Sequence, residues 1–202
     1  MRTTEILTDE HRVIERVLLC LEKMSDEFDA KSALDLEPAR DAIAFLRTFA
    51  DGCHHKKEED RLFPAMERCG MPREMGPTAV MRQEHEIGRG FIGRMDAAVT
   101  AFEKGDAAAV AKFTAAARGF VELLREHIAK EEQVLFPMAD RMLSDAMQDE
   151  LLRGFDHAEQ HEMGAGTHEK FLALADRLAA RYGVTAAQAQ GKAHTCSCSH
   201  GH

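Results

Sequence analysis

Apolar residues recur along this chain every three or four positions, which is the period of an α-helix and not the alternation of a half-buried strand. Leu7, His11, Ile14, Leu18 and Leu21 share one stripe over residues 4–28, opened by a Thr3/Thr4 cap. After "DAKSALDLEP", where Pro38 suits a first helical position, a second stripe passes through Ile43, Leu46 or Arg47, Ala50, His54 and Glu58 towards Gly70. Pro64 is expected to bend or end that helix. The segment "GMPREMGP" reads as a turn. Beyond it, Met81, His85, Gly88, Ile92, Met95, Val99 and Phe102 form a third stripe that stops near Gly105. Asp106 caps a fourth helix, whose inward face reads Val110, Phe113, Ala117 (or Ala116), Phe120, Leu124, His127, Glu131 and Val134, with Pro137 near its end. Four long helices with short connections predict an all-α, up-and-down antiparallel four-helix bundle. Ser144 opens a fifth helix running to about Met163, and Thr167 a sixth that closes at Gly183. The expected organisation is a bundle over 1–142, two additional C-terminal helices packed on it over 143–183, and a flexible tail over 184–202.

Composition narrows the functional classes. The 202 residues suffice for a full hydrophobic core, with 45% hydrophobic and 30% charged residues. A formal charge of −9, with no basic stripe interleaved with aromatics, argues against nucleic acid as a partner. The start "MRTTEILTDEHRVIERVLL" carries acids throughout, so it resembles neither a signal peptide nor a membrane span, and a cytoplasmic location is expected. Five cysteines, at 20, 53, 69, 196 and 198, do not form a disulfide framework.

The eleven histidines change the picture most. "HHKKEEDRLFP" (54–64) returns as "HIAKEEQVLFP" (127–137), and "DEH" (9–11) resembles "QEH" (83–85). His11 to His54 spans 43 positions and His85 to His127 spans 42, so two helical hairpins are written on one plan. Residues four apart on a helix share a face, so His54 with Glu58, and His127 with Glu131, point two ligand atoms into one cavity. Imidazole with carboxylate suits iron, manganese or zinc, and two facing carboxylates can bridge two cations. A bound cation also removes the cost of carboxylates on an apolar stripe. Aligning the two Leu-Phe-Pro triplets places His55 opposite Ile128 and assigns it to packing or to support around the ligands. Glu59 and Glu132 are expected to face water or pair with Lys57 and Lys130.

The pattern H…HxxxE…H…HxxxE, with "EH" openings and "KEExxLFP" closings, resembles the hemerythrin-like family of HHE cation-binding proteins over residues 4–142. The resemblance implies a four-helix bundle around a non-haem, carboxylate-bridged pair of iron ions. It places His11, Glu58 and Glu131 among the ligands beside His54, His85 and His127. It leaves manganese and zinc open. Oxygen-carrying members have a further histidine one turn after the third-helix ligand, where this chain has Arg89. The departure turns expectation from oxygen carriage towards binding and reduction of O2, peroxide or nitric oxide, with an electron donor the sequence does not name. The alternative is a non-catalytic protein that senses or stores iron, oxygen or nitric oxide.

Outside the repeats, Glu159 lies on the inward stripe of the fifth helix and is a possible additional metal ligand, with His157 and His161 flanking it. His168 neighbours a helix cap. The tail residues His194, Cys196, Cys198, His200 and His202 are ligand types for Cu(I), Zn(II) or Ni(II), or incidental low complexity. Met24, Met66, Met81, Met95 and Met138 read as core filler, and Cys53 as a buried, inert thiol.

Overall fold

The computed structural model describes residues 2–162 and 164–188, and every regular element among them is helical. The Cys/His-rich tail from His194 to His202 and the end of the fifth helix at Met163 lie outside the described residues. Six helical rods follow one another. They are α1 (Thr3–Lys31), α2 (36–68), α3 (Pro77–Glu103), α4 (109–142), α5 (145–162) and α6 (Thr167–Tyr182). Three of them change gauge along their length. In α2 the α-helical Leu36–Phe45 gives way to π-helical Leu46–His55 and Glu58–Leu62 before α-helical Phe63–Arg68. In α4 a π turn at Glu131–Leu135 separates Ala109–Lys130 from Phe136–Met142, and α5 ends in a π turn at Ala158–Glu162.

Most element ends follow from the residues. Ser144 Oγ accepts the Met147 N–H to open α5, and Gly183 takes the left-handed conformation (φ 59°) that ends α6. Asp106 Oδ1 accepts the Ala108 N–H just before α4 begins. The Thr3/Thr4 cap is corrected: Arg2 holds the cap position, and its backbone N–H donates to Glu5 at 2.8 Å. Thr3 and Thr4 are buried instead, because their hydroxyls bond across the molecule to Gln148 (2.7 Å) and Asp140 (2.9 Å).

Pro64 and Pro137 end neither rod. Each sits in the first turn of the α-helical segment that follows a π turn, where the wider turn tolerates a residue with no N–H to donate. The same π turn corrects the inward position in α4. Val134 is 50% exposed and Leu135 is 1% exposed. A turn holding one extra residue rotates less per residue, so the position after Glu131 that returns to the core moves on by one.

The longest shared faces are those of α4 with α3 and with α1. Pairs between α1 and α4 join Thr4 to Asp140, Glu22 to Arg125 and Asp29 to Arg118; pairs between α2 and α3 join Arg47 to Asp96 and Asp51 to Arg89. In both sets one number rises as the other falls, so each pair of rods runs antiparallel. α6 lies on α1 and α2, and α5 meets the Glu58–Leu62 turn of α2. No helix among the described residues is long and apolar enough to cross a membrane.

Two apolar clusters fill the interior. One includes Ile14, Phe28, Phe49, Phe113, Phe120 and Leu178; the other includes Leu7, Phe63, Met66, Met81, Phe136 and Phe155. The methionines named above fall in these clusters. Along each of α1 to α4 the buried histidines and glutamates sit between the stretch that feeds one cluster and the stretch that feeds the other. The polar layer is therefore sealed by apolar packing at both ends.

α3 and α4 approach closely at Gly119, where a Cβ would run into the Phe91 ring. Gly119→Ala is expected to force that ring aside and lower the unfolding free energy by about 1–3 kcal/mol, measured by denaturant titration. Gly90→Ala, with nothing near its Cβ position, is the control and is expected to lose no stability.

Candidate metal centre

Each of α1 to α4 brings at least one imidazole or carboxylate to the sealed layer. α1 supplies His11, α2 supplies His54 and Glu58, α3 supplies His85, and α4 supplies His127 and Glu131, all buried. Ligand-type atoms of His11, His54, Glu58 and Glu131 lie within 4.8 Å of one another, and so do those of Glu58, His85, His127 and Glu131. The two groups share both carboxylates. Glu58 turns Oε1 towards His54 Nε2 (3.8 Å) and Oε2 towards His85 Nε2 (3.5 Å). Glu131 turns Oε2 towards His11 Nε2 (3.2 Å) and Oε1 towards His127 Nε2 (3.2 Å). All six sequence-derived positions thus converge, each carboxylate spanning two histidines.

The outer nitrogen of every one of these imidazoles meets a second glutamate. His11 Nδ1 lies 2.9 Å from Glu132, His54 Nδ1 2.9 Å from Glu10, His85 Nδ1 2.6 Å from Glu59 and His127 Nδ1 2.9 Å from Glu84. Each of these glutamates is the chain neighbour of a different inward residue, so the repeat braces itself crosswise. The expectation that Glu59 and Glu132 face water or pair with Lys57 and Lys130 is corrected. Arg89 and Arg12 partner these two carboxylates, while Lys57 reaches Glu10 and Glu159, and Lys130 reaches Glu84. With Nδ1–H given to an outer carboxylate, a neutral imidazole directs its Nε2 lone pair inward, which is the arrangement that supports metal-ligating histidines.

The inner layer is short of hydrogen. The Nε2 atoms of His11 and His54 and all four oxygens of Glu58 and Glu131 are buried without a hydrogen-bond partner among the described residues. Burial, then repulsion from Glu131, holds the Glu58 carboxyl well above the ordinary carboxylate range. Burial opposes the charge of Glu131 as well, but the nearby His127 outweighs it and holds that carboxyl well below the range. Burial pushes His54 down to about 4 and lowers His85 as well. For His127 the charge of Glu131 overcomes burial and lifts it to about 9; for His11 the adjacent Glu131 and Glu132 carboxylates overcome burial in the same direction. A dry cavity lined by lone pairs and two carboxylates is the environment a cation relieves, and the donor set of nitrogen and oxygen suits iron, manganese or zinc. The residues fit a metal.

His55, assigned by the repeat comparison to packing or to support around the ligands, is buried beside the six. Its ring stacks on His85 with centroids 3.8 Å apart, and its nitrogen falls within 4.8 Å of those of His85 and His127. The signal was present in the adjacent His54-His55 pair. Leu46–His55 is π-helical, and both adjacent imidazoles are buried at its end. Arg89, at the position of the family's further histidine, stands outside the layer and bonds Asp51 and Glu59 at 2.9 Å each.

A family model described as Hemerythrin HHE cation binding domain matches residues 2–139, the stretch containing all six converging residues. The chain belongs to that family. Uncharacterized proteins of Mycobacterium tuberculosis and Mycobacterium bovis are 25% identical to it over 175 residues, covering 87% of this chain and 67% of each relative. No solved structure matches the chain. HHE membership makes cation binding the property of residues 2–139, and the two His/Glu groups are where the chain can hold metal.

Glu159 does not join them. Its carboxylate meets the Lys57 ammonium, with Glu10 on the other side of that ammonium, so this residue of α5 reaches the HHE centre through an ion pair. His157 and His161 are exposed with rings 4.7 Å apart, and His168 packs on Phe49 at 5.2 Å. The Cys53 thiol is buried, and burial followed by the charge of Glu10 pushes it up to about 12, in keeping with an inert role. At pH 8 a water-soluble disulfide reagent is expected to label the exposed Cys69 of the native chain but to reach Cys53 only after unfolding, as read by peptide mass spectrometry.

Proposed function

We propose that the four rods α1 to α4 form an up-and-down bundle around two non-haem iron ions bridged by Glu58 and Glu131. The centre binds and reduces O2, peroxide or nitric oxide. The observation that supports this reading most is that each shared carboxylate turns one oxygen towards each of two histidine pairs. His11 and His54 would hold one ion and His85 and His127 the other, with His55 beside the second. Bound iron supplies one-electron chemistry and a coordination position for a diatomic ligand or peroxide. The outer glutamates keep the imidazoles in one tautomer and orientation, and Phe136 and Phe63, stacked on His11 and His85, close the layer to water. A cytoplasmic setting with a reducing partner suits such chemistry.

The test starts with metal analysis of the full chain purified without a histidine tag, followed by anaerobic loading with two equivalents of Fe(II) and a pulse of air. Two ions per chain and new near-ultraviolet absorption are expected. A flat spectrum, or retention of less than one ion, removes the di-iron reading. Steady-state consumption of peroxide or nitric oxide then distinguishes catalysis from sensing or storage.

A further inference from the structure

Where α5 and α6 cross α1 and α2 they leave a cleft of about 440 Å³, separate from the His/Glu layer. It is within the size range that encloses small organic molecules. Most of its wall is apolar, with Phe49, Phe155 and Leu172 contributing broad surfaces. Its polar groups are of one sign: Asp9, Glu10, Asp156 and Glu159 all line it, and His168 is the one basic side chain among the lining residues. Glu10 and Glu159 share the Lys57 ammonium, Glu10 also meets His54, and His168 Nδ1 lies 3.8 Å from Glu159. The uncompensated charge of the cleft is therefore that of Asp9 and Asp156. Asp9 and Asp156 are exposed, and Asp156 accepts the neutral Gln160 amide at 2.7 Å.

We propose that this cleft is a binding site for a small organic cation, a protonated amine carried on a flat apolar body. Lys57 shows how the site treats such a group: two carboxylates hold its ammonium and the Phe155 ring lies 5.6 Å from it. A carboxylate placed against aromatic surface is a standing recognition pattern for an ammonium, because ring face and acid attract the same charge. A neutral body of the same shape would fill the apolar walls while stripping water from the carboxylates without replacing it, and an anion would be repelled outright. The only residue common to the cleft and the metal layer is Glu10, which gives one oxygen to Lys57 and the other to His54.

The experiment is calorimetric titration of the full chain, as purified, with benzylamine, benzyl alcohol and phenylacetate. Saturable binding of benzylamine is expected, with benzyl alcohol and phenylacetate at least tenfold weaker. Affinity for benzylamine should fall about fivefold in the surface double variant Asp9→Asn/Asp156→Asn, and tenfold or more in Leu172→Trp, which fills the cleft. Absence of saturable benzylamine binding, equal affinity for benzyl alcohol, tighter binding of phenylacetate, or unchanged affinity in the Asp double variant overturns the proposal. Metal content measured on the same samples is a separate readout, so a failure here does not touch the reading of the metal centre.

Discussion

Glu58→Leu is expected to make the metal-free chain more stable while emptying the centre. The Glu58 side chain is fully buried, neither oxygen has a hydrogen-bond partner among the described residues, and burial with repulsion from Glu131 holds its carboxyl well above the ordinary range. A residue kept in that condition destabilises the metal-free fold. An apolar side chain of similar volume beside His54 and His85 removes the penalty and is expected to raise the unfolding free energy by about 1–4 kcal/mol. The same change deletes one of the two carboxylates common to both ligand groups, so bound metal should fall. Denaturant unfolding after chelation reads the first effect and elemental analysis the second. Opposite signs in the two measurements mark a residue held for metal and not for folding. A variant that loses stability and keeps its metal contradicts the assignment of Glu58.

Lys57→Met and Lys130→Met occupy equivalent places in the repeat, yet their expected effects differ several-fold. Lys130 bonds Glu84 from a position 41% exposed, and losing such a pair costs about 1 kcal/mol or less. Lys57 is 1% exposed because α5 covers it, and it neutralises both Glu10 and Glu159. Its replacement leaves those carboxylates without a cation in a dry place, for an expected loss of about 3–5 kcal/mol. In a chain of this size that corresponds to roughly 10 °C or more in the thermal midpoint. Adding Glu10→Gln to Lys57→Met is expected to restore part of the loss, because one of the stranded charges disappears. Equal midpoints for the two lysine variants would mean that α5 does not seal this side of the His/Glu layer.

Much of this architecture is legible in the chain because a helix repeats its environment every three or four residues. The stripe of α1 is found buried as read, that of α3 is buried from Met81 to Val99 with Phe102 half-buried, and the six histidine and glutamate positions of the repeat converge. One misreading comes from gauge: helical periodicity presumes a single one, and the π turn at Glu131–Leu135 breaks it, which exchanges Val134 for Leu135. Thr3 and Thr4 look like a cap until α5 and the end of α4 supply Gln148 and Asp140 as better partners. Glu59 and Glu132 look like solvent-facing acids because their partners, His85 with Arg89 and His11 with Arg12, lie on other helices.

The order of residues alone determined that this chain is helical, that it repeats a histidine and glutamate plan, and which side chains carry it, because these depend on spacings of a few residues along one rod. Only the tertiary structure decided which glutamate braces which histidine, how deeply Lys57 is sealed, and that α5 and α6 enclose an acidic cleft beside the centre. The bracing and sealing contacts join residues 26 to 121 positions apart in the chain, and no local period encodes which of many acids a distant imidazole or ammonium will meet.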